Sequence, residues 1–239
     1  MAEREPTYCV LPGAGSAGLA WARTAQPLGA TVLEVPDEPD VPAMAAALAA
    51  QVRGLPAPVV LIGASLGAMV ALELTRSVEV DALVLIAAGF GIEVSDALLD
   101  WIASGPPDVL AKVAKLSIAA RDDEAMVELV RRDFASRGRA VLLRHLTALA
   151  AYRPRRPATP PPTWVIWGVG DRSVPLSDHV ELARQCRGVL APIDGAGHMP
   201  FLEQPTETAR WIRTAAQMLY LITEEETSNG QRNHLSNFA

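Results

Sequence analysis

A serine flanked by glycines is the first feature of this sequence that could do chemistry. The pentapeptide Gly63-Ala64-Ser65-Leu66-Gly67 directly follows the apolar run Val59–Ile62 and precedes a helical run of apolar residues. A sharp turn from strand to helix holds a serine hydroxyl out above the end of a sheet, and small neighbours let the two backbones pass close together. A serine helix cap beside packing glycines has the same local sequence. The position of the motif between a buried strand and a helix therefore predicts that Ser65 is a nucleophile.

A serine hydroxyl is a weak nucleophile at neutral pH, so this hypothesis requires a histidine base and a carboxylate that orients it. His198 is the predicted base, because it lies in a glycine-rich loop directly after the last predicted strand, at the carboxyl edge of the sheet. His145 lies among leucines of a helical segment, where we expect a helix-face or lid residue and leave contact with substrate open. His179, inside a predicted helix, and His234, in a polar tail, are expected at the surface.

Asp171 is the predicted carboxylate of this constellation. It stands immediately beyond the fifth predicted strand, again at the carboxyl edge of the sheet. With Asp171, the predicted catalytic residues follow the chain order Ser65, Asp171, His198. This is the order found in proteins whose nucleophile lies on a turn between a strand and a helix. Asp194 is the nearest competitor. It lies on the same loop as the base, only a few residues before it, where capping the loop is the expected role.

The loop after the first predicted strand can supply half of an oxyanion hole. Hydrolysis of a carbonyl compound needs two N–H donors directed at the developing oxyanion, and one comes from the residue after the nucleophile, here Leu66. The other is expected from Pro12-Gly13-Ala14-Gly15, most simply from the amide of Ala14, because the glycines let the loop approach substrate closely. The amide of Gly13 is an alternative donor.

The same loop also supports a rival hypothesis. Gly13-Ala14-Gly15-Ser16-Ala17-Gly18 matches the dinucleotide-binding fingerprint, and Glu34 in the next predicted strand could bind a ribose. A flavin or nicotinamide would need a helix that starts at the glycines, yet Pro27 and Gly29 allow only a short one. The rival also leaves the serine, aspartate and histidine unexplained. A catalytically silent binding protein on the same scaffold is a third hypothesis that motifs alone leave open.

Alternating short strands and helices must position these residues. Short apolar runs that end in turn residues are typical of a parallel sheet buried on both faces. Six runs are predicted as strands: Tyr8–Leu11, Thr31–Val35, Val59–Ile62, Ala82–Ala87, Thr163–Trp167 and Val189–Ile193. Helices are predicted at Pro42–Arg53, Leu66–Arg76, Ser177–Arg187 and Pro205–Leu221. The alternation predicts a three-layer α/β fold with a mostly parallel sheet of about six strands.

The segment 92–162, between the fourth and fifth strands, has helical periodicity and is interpreted as an inserted cap or lid. Its predicted helices are Ser95–Ser104, Pro107–Ala119, Asp122–Ser136 and Gly138–Tyr152, followed by a proline-rich return to the sheet. The core then comprises residues 1–91 and 163–222, and we expect residues 223–239 to form a flexible polar tail. An apolar pocket between cap and core is expected to use Gly13, Phe90, Trp101, His145 and Met199, with further cap residues Phe134, Leu142, Leu146 and Leu149.

Composition restricts the class of protein. Half of the 239 residues are apolar, a fifth are charged and the net charge is −6, which favours one globular core and gives no basic surface for nucleic acid. No apolar run is long enough for a membrane span, and the two cysteines indicate neither a disulfide framework nor a metal site. We therefore expect a cytoplasmic enzyme that acts on a small molecule without metal or cofactor, and without nucleic-acid or membrane partners. A homodimer is left open.

From Tyr8 to about Leu221 the chain resembles the α/β-hydrolase superfamily. Four motifs carry the resemblance: Pro12-Gly13-Ala14-Gly15, Gly63-Ala64-Ser65-Leu66-Gly67, Gly170-Asp171 with Val174-Pro175, and Gly197-His198-Met199-Pro200 followed by Glu203 and Pro205. Family members commonly begin the first turn with His-Gly, whereas Pro12 stands there in this chain, and the two strands that usually precede it are absent. The resemblance implies a capped, cofactor-free serine hydrolase with a Ser-His-Asp triad, acting on an ester, thioester, lactone or related carbonyl compound. Carbon–carbon bond hydrolases and lyases of the family use nearly the same triad and are the alternative.

Overall fold

A computed structural model describes residues 5–219 of the chain. At its centre lies a sheet of six parallel strands: β1 Thr7–Leu11, β2 Thr31–Val32, β3 Val59–Ala64, β4 Ala82–Ile86, β5 Thr163–Gly168 and β6 Val189–Ile193. The strands lie in the order β2-β1-β3-β4-β5-β6, and all neighbours are parallel. The predicted α/β architecture with about six strands is confirmed. Because the chain builds the sheet outward in both directions from β1 and β3, a crevice for ligands is expected at the carboxyl ends of these two strands.

The sheet is buried on both faces because its strands carry apolar residues at consecutive positions. All residues of β3 and β4 are buried. Successive side chains of a strand point to opposite faces, so Leu61 and Leu83 belong to one hydrophobic cluster and Ile62 and Val84 to another. The register pairs Leu61 with Leu83 and Ile62 with Val84 across the two strands. Helices must therefore cover both faces.

Helices pack on each face of this sheet. The first face carries α2 Val41–Arg53, α3 Leu66–Leu74 and α8 Leu176–Cys186, and the second carries α1 Ala22–Ala25, α9 Pro200–Glu203 and α10, residues 205–219. The end of the predicted helix Pro205–Leu221, the predicted tail 223–239 and His234 lie outside the described residues. No helix within residues 5–219 combines the length and the apolar character that a membrane crossing needs.

The edge strand β2 is shorter than the predicted Thr31–Val35. After Val32 the amide of Leu33 still donates to the carbonyl of Val10 in β1, at 2.9 Å, and Val35 then buries its side chain completely in the core. Pro36 follows, and a proline has no N–H to donate to a strand ladder. An extended segment can bury apolar side chains without forming hydrogen bonds to a neighbouring strand, and it then has the same sequence pattern as a short strand. The predicted strand is therefore longer than the observed one.

Four helices occupy the segment between β4 and β5: α4 Asp96–Ser104, α5 Val109–Leu116, α6 Glu124–Arg137 and α7 Arg139–Ala151. Side chains cap two of these helices, since Ser95 accepts a hydrogen bond from the amide of Leu98, and Asp123 accepts one from Met126. The helices lie over the carboxyl edge of the sheet, where α6 contacts the segment after β1 and α7 contacts α3.

Helix α5 is shorter than the predicted Pro107–Ala119. The amides of Ala119 and Ala120 donate to the carboxylate of Glu203 in α9, at 2.6 and 3.2 Å, instead of continuing the helix. A contact between residues so distant in the chain has no local sequence signal, so the helix end could not be predicted from the segment itself.

The expectation that His179 lies at the surface is wrong, because its side chain is completely buried in α8. Its ring centroid is 6.3 Å from that of Trp167 in β5, and its Nδ1 lies 3.0 Å from the carbonyl oxygen of Pro175. Burial lowers the pKa of His179. Leu182 and Cys186 follow at helical spacing and are buried on the same face, and this spacing is the sequence signal that indicates the burial.

Candidate active site

Ser65 lies in a strained turn at the end of β3. Its backbone dihedrals are φ 52° and ψ −117°, a combination that residues other than glycine rarely adopt. The amide of Ser65 donates to the carbonyl of Ile86 in β4 at 2.9 Å, and α3 begins at the next residue, Leu66. The strand before and the helix after hold this conformation in place. The side chain consequently borders a cavity at the carboxyl edge of the sheet.

The glycines beside this turn permit the close crossing of β1, β3 and α3. A Cβ atom at Gly63 would lie 2.3 Å from the carbonyl oxygen of Gly67, and one at Gly67 would lie 2.1 Å from the carbonyl oxygen of Leu11. Both obstacles are backbone atoms, which cannot rotate aside. The fold therefore needs glycine at both positions, as the spacing of the motif indicates.

His198 and Asp171 form a hydrogen-bonded pair on neighbouring loops. The Nδ1 atom of His198 lies 2.9 Å from Oδ2 of Asp171, whose side chain is fully buried. The second oxygen of Asp171 accepts hydrogen bonds from the amides of Ser173, at 2.8 Å, and Val174, at 3.1 Å. Asp194, the alternative carboxylate, is exposed. The geometry thus pairs the histidine with Asp171, and both Ser65 and His198 line the same cavity.

The Asp171 carboxyl is held in its ionised form. Burial alone would raise its pKa, but the charge and hydrogen bond of His198, together with the two backbone amides, outweigh burial and leave the pKa below its ordinary value. An ionised carboxylate can only accept a hydrogen bond, so Nδ1 of His198 carries the hydrogen and donates it to Asp171. In the neutral ring the lone pair is then on Nε2. This tautomer is the one that can take a proton from a serine hydroxyl.

Two backbone amides near Ser65 are free to bind an oxyanion. Within residues 5–219, no hydrogen-bond acceptor engages the amides of Leu66 and Ala14. Leu66 is the first residue of α3, where helix geometry leaves N–H groups unpaired and partial positive charge accumulates. Gly13 lies against the serine, since a Cβ placed on it would be 3.5 Å from Cβ of Ser65. The loop after β1, which is predicted to supply the second oxyanion donor, therefore lies beside Ser65.

A cavity of about 450 Å³ opens at Ser65 between the sheet and the four inserted helices. Of the residues predicted to contact substrate, Gly13 and Met199 line it, and so do the cap residues Phe134, Leu142, Leu146 and Leu149. Sequence reasoning missed Ile92, Val94, Leu98, Val113, Leu116 and Phe201, although apolar residues at helical spacing in α4 and α5 are a signal for several of them. The carboxylates among the lining residues are Glu93 and Asp178. The cavity wall is mainly apolar and has no lysine or arginine among its described residues.

Three residues predicted to contact substrate do not line this cavity. Phe90 and Trp101 are partly buried and pack against a hydrophobic cluster that joins the sheet and the helices α4–α7. His145 is fully buried, and both of its ring nitrogens are occupied by backbone groups of Gly15 and Pro36. The structure therefore does not bring Phe90, Trp101 and His145 to the wall of this cavity, and their contact with substrate stays a prediction.

A carboxylate of the protein itself occupies the glycine loop that matches a dinucleotide fingerprint. Asp133 of α6 is 1% exposed and accepts hydrogen bonds from the Ser16 hydroxyl, at 2.6 Å, and from the amides of Ala17, Leu19 and Ala20, at 2.9, 3.1 and 3.4 Å. These are the donors that a pyrophosphate would need. The segment that follows forms a 3₁₀ turn and the four-residue α1 instead of a long helix. The residues present do not fit a flavin or nicotinamide dinucleotide.

Glu203 in α9 connects the loop of His198 to the end of the segment after α5. One carboxylate oxygen accepts from the amide of Gly197, next to His198, at 2.7 Å. The other accepts from Ala119 and Ala120 at the end of α5. This carboxylate therefore fixes the backbone beside His198 and one end of the cap at once, a role visible only in three dimensions.

The two cysteines do not have the properties of catalytic thiols. Cys9 and Cys186 are free and buried, and burial raises their pKa to about 12 and about 11, so neither is a thiolate at neutral pH. Among residues 5–219, no group of three or more histidine, cysteine, aspartate or glutamate side chains is arranged to hold a metal ion. Neither cysteine is therefore an alternative to Ser65 as the predicted nucleophile.

Comparison with known proteins places this architecture among characterised folds. A family model described as "Alpha/beta hydrolase family" matches residues 10–211. No curated protein matches the chain.

Several solved structures are similar to this chain along most of its length. A thermophilic esterase aligns with a TM-score of 0.80 and 22% identity, covering 91% of each chain. The enol-lactonase from Burkholderia xenovorans aligns with a TM-score of 0.75 and 15% identity, covering 91% of this chain and 94% of the other. The type II thioesterase BorB from the borrelidin biosynthetic cluster aligns with a TM-score of 0.63 and 20% identity, covering 88% and 92%. At these identities the likeness is one of fold.

Proposed function

The chain belongs to the α/β hydrolase family, and we propose that it is a serine hydrolase that cleaves carboxylic esters or related acyl compounds with apolar groups. The observation that carries this proposal is the pairing of His198 with a buried, ionised Asp171 on the same cavity as the strained Ser65. A buried carboxylate bonded to Nδ1 and a serine on a strained turn together match the roles of a catalytic triad.

In the proposed mechanism, Ser65 Oγ attacks the carbonyl carbon of the substrate while Nε2 of His198 takes the hydroxyl proton. Asp171 holds the imidazole in the required tautomer and stabilises the imidazolium that forms. The amides of Ala14 and Leu66 bind the oxyanion of the tetrahedral intermediate. The imidazolium then protonates the leaving alcohol, and a water molecule activated by His198 releases the acid from Ser65.

The character of the cavity supports an uncharged, apolar substrate. Its walls are mainly aliphatic and aromatic, and the only carboxylates among its described lining residues, Glu93 and Asp178, disfavour anionic groups. A volume of about 450 Å³ accommodates a small ligand. Esterases, an enol-lactonase and a thioesterase share the fold, so esters, lactones and thioesters with neutral groups are the substrates to compare.

Replacement of the nucleophile tests the proposal. We expect Ser65→Ala to lower kcat for p-nitrophenyl butyrate by a factor of about 10⁴ to 10⁶ and to abolish labelling by a fluorophosphonate probe, since the covalent acyl intermediate cannot form. Steady-state kinetics and in-gel fluorescence give the two readouts. Ser104→Ala, an exposed serine on α4 away from the cavity, is the matched control and should retain both activities.

Retention of labelling or turnover by Ser65→Ala would contradict the assignment of the nucleophile. The same assay on a panel of aryl esters, a lactone, a neutral thioester and a carbon–carbon substrate ranks the reaction types by kcat/KM. A carbon–carbon substrate as the best of the panel would keep the triad but overturn the ester class.

A further inference from the structure

His145 of α7 bridges two loops of the core from inside the cap. The ring is completely buried. Its Nδ1 accepts a hydrogen bond from the amide of Gly15, in the loop after β1, at 3.2 Å. Its Nε2 lies 3.1 Å from the carbonyl oxygen of Pro36, in the segment after β2. One side chain of α7 is thus bonded to the backbone of two segments, the loop after β1 and the segment after β2.

These two partners determine the protonation of the ring. A backbone amide can only donate and a carbonyl oxygen can only accept, so Nδ1 must carry the lone pair and Nε2 the hydrogen. The neutral ring satisfies both partners, whereas an imidazolium would direct an N–H at the N–H of Gly15. Burial, reinforced by the charge of Arg137, lowers the pKa of His145 to about 4, so the ring is neutral at neutral pH.

The loop that meets this ring needs an external support. Gly15 has φ +66°, and the neighbouring Gly13 adds further backbone freedom. Within the described part of the chain, His145 makes the only side-chain hydrogen bond to residues 12–15, because Asp133 engages residues 16–20. Helix α7 also packs on the loop directly, since a Cβ at Gly15 would lie 2.8 Å from Cβ of Leu142. Ala14, whose amide is the proposed oxyanion donor, is the residue directly before the Gly15 amide that bonds to His145.

We propose that His145 is a positioning residue for the oxyanion hole, holding the loop so that the amide of Ala14 faces the oxyanion formed at Ser65. This inference rests on the proposed function, because the oxyanion forms only if Ser65 attacks the carbonyl carbon of a substrate. The cap is then part of the catalytic machinery as well as a wall of the pocket. Loss of the Gly15 hydrogen bond should act on transition-state stabilisation, which appears in kcat, more than on substrate binding, which appears in KM.

Two amide substitutions separate the Gly15 contact from packing. The oxygen of an asparagine occupies nearly the position of Nδ1, so His145→Asn keeps an acceptor for the amide of Gly15. The nitrogen of a glutamine occupies nearly the position of Nε2, so His145→Gln keeps the donor to Pro36 and loses the acceptor. Both variants remove the ring from a buried site, so a purely structural role predicts similar losses of activity from the two.

The experiment compares kcat and KM for p-nitrophenyl butyrate, thermal midpoints, and hydrogen exchange of the Gly15 amide in the two variants and the wild type. We expect His145→Gln to lower kcat about 10-fold or more with little change in KM, and to lose protection of that amide. His145→Asn should keep kcat within a few-fold of wild type and keep the protection, although its thermal midpoint also falls.

Equal kcat losses in the two variants, or wild-type kcat in both, would overturn the positioning role. A wild-type protein that neither hydrolyses the ester nor reacts with the fluorophosphonate would instead contradict the proposed function. In that case the exchange measurement still decides whether His145 holds the loop, because it needs no catalysis, so the two failures are distinguishable.

Discussion

At the scale of single residues, the proposed chemistry depends on how completely the Asp171 carboxylate is enclosed. The side chain has no exposed surface, and its oxygens are bonded to His198 Nδ1 and to the amides of Ser173 and Val174. A carboxylate held in this way keeps both its charge and its orientation. The loop after β5 therefore fixes the orientation of His198 through Asp171.

Replacing Asp171 by asparagine tests this dependence. The amide can donate to Nδ1, which moves the histidine hydrogen to Nε2 and removes the lone pair that should face Ser65, so we expect kcat to fall by a factor of about 10⁴ at neutral pH. Steady-state hydrolysis of an ester, with circular dichroism as a check of folding, is the measurement. Asp194→Asn is the control with the exposed alternative carboxylate and should leave kcat unchanged. The opposite outcome for the two variants would assign the orienting role to Asp194.

The proposed catalytic residues could be selected from the sequence because each lies in the loop or turn after a predicted strand. Ser65, Asp171 and His198 need only the rule that parallel strands end at one edge. The supports of the site, Asp133 and His145, could not be found in this way. Both act through contacts with loops more than a hundred positions away in the chain, and these contacts exist only once the cap is docked.

At the scale of secondary-structure elements, the critical contact is the crossing of α3 over β1 and β3. The backbones of these elements approach so closely that a Cβ atom on Gly67 would overlap the carbonyl oxygen of Leu11. A Cβ atom on Gly63 would likewise overlap the carbonyl oxygen of Gly67. A displaced α3 would also move the Leu66 amide, a proposed oxyanion donor. Stability and catalysis are therefore linked at this crossing.

We expect Gly67→Ala to destabilise the protein by about 3 kcal/mol or more, because the added methyl group would overlap a backbone carbonyl in a packed core. The free energy of unfolding in urea measures the effect, and the yield of folded protein is a second readout. Gly54→Ala is the control. Gly54 follows α2 with φ −81°, and a Cβ atom there would lie 3.4 Å from the carbonyl oxygen of Ala50, an ordinary contact distance. We expect a change below about 1 kcal/mol there. Similar stabilities of the two variants would contradict the account of the crossing.

Element types followed from apolar periodicity, whereas element ends depended on contacts outside the segment. The predicted strand Thr31–Val35 ends early because Val35 packs into the core without pairing. Helix α5 ends at Leu116, and the amides of Ala119 and Ala120 beyond it bond to Glu203 instead of extending the helix. His179 is the exception that periodicity could have predicted, since its spacing from Leu182 and Cys186 lies within its own helix.

At the scale of the whole molecule, helices α4–α7 and the rest of the protein are joined by polar contacts as well as by apolar packing. His145 and Asp133 reach from the cap into the loop after β1, and Glu203 reaches from the core to the end of α5. Buried polar groups are costly to separate from their partners. We therefore expect the inserted helices to remain seated on the core during turnover.

The buried neutral histidines predict that the free energy of unfolding falls in mild acid. The pKa of His145 is about 4 in the folded protein and about 6.5 in an unfolded chain, so between these values the unfolded state binds a proton that the folded state does not. Stability contributed by this residue is complete above about pH 6.5 and is lost as the pH falls toward 4, by roughly 3 kcal/mol. His179, whose pKa is also lowered, acts in the same direction.

Urea unfolding of wild type and His145→Asn across this pH range measures the effect. Asparagine does not titrate, so the stability difference between the two proteins should shrink as the pH falls from about 6.5 to 4. A difference that stays constant over the range would mean that His145 gains its proton as readily in the folded state as in the unfolded one.

The support of the oxyanion loop by the cap also has a consequence for the order of events during synthesis. The Gly15–His145 and Ser16–Asp133 hydrogen bonds join residues 130 and 117 positions apart, and His198 is synthesised later still. A chain that grows from its N-terminus completes the segment around Ser65 long before these partners emerge. The strained serine therefore spends that interval without a base and without a fixed oxyanion loop. Hydrolytic competence should arise last, as a product of completed long-range folding, so a nascent or truncated chain is chemically silent.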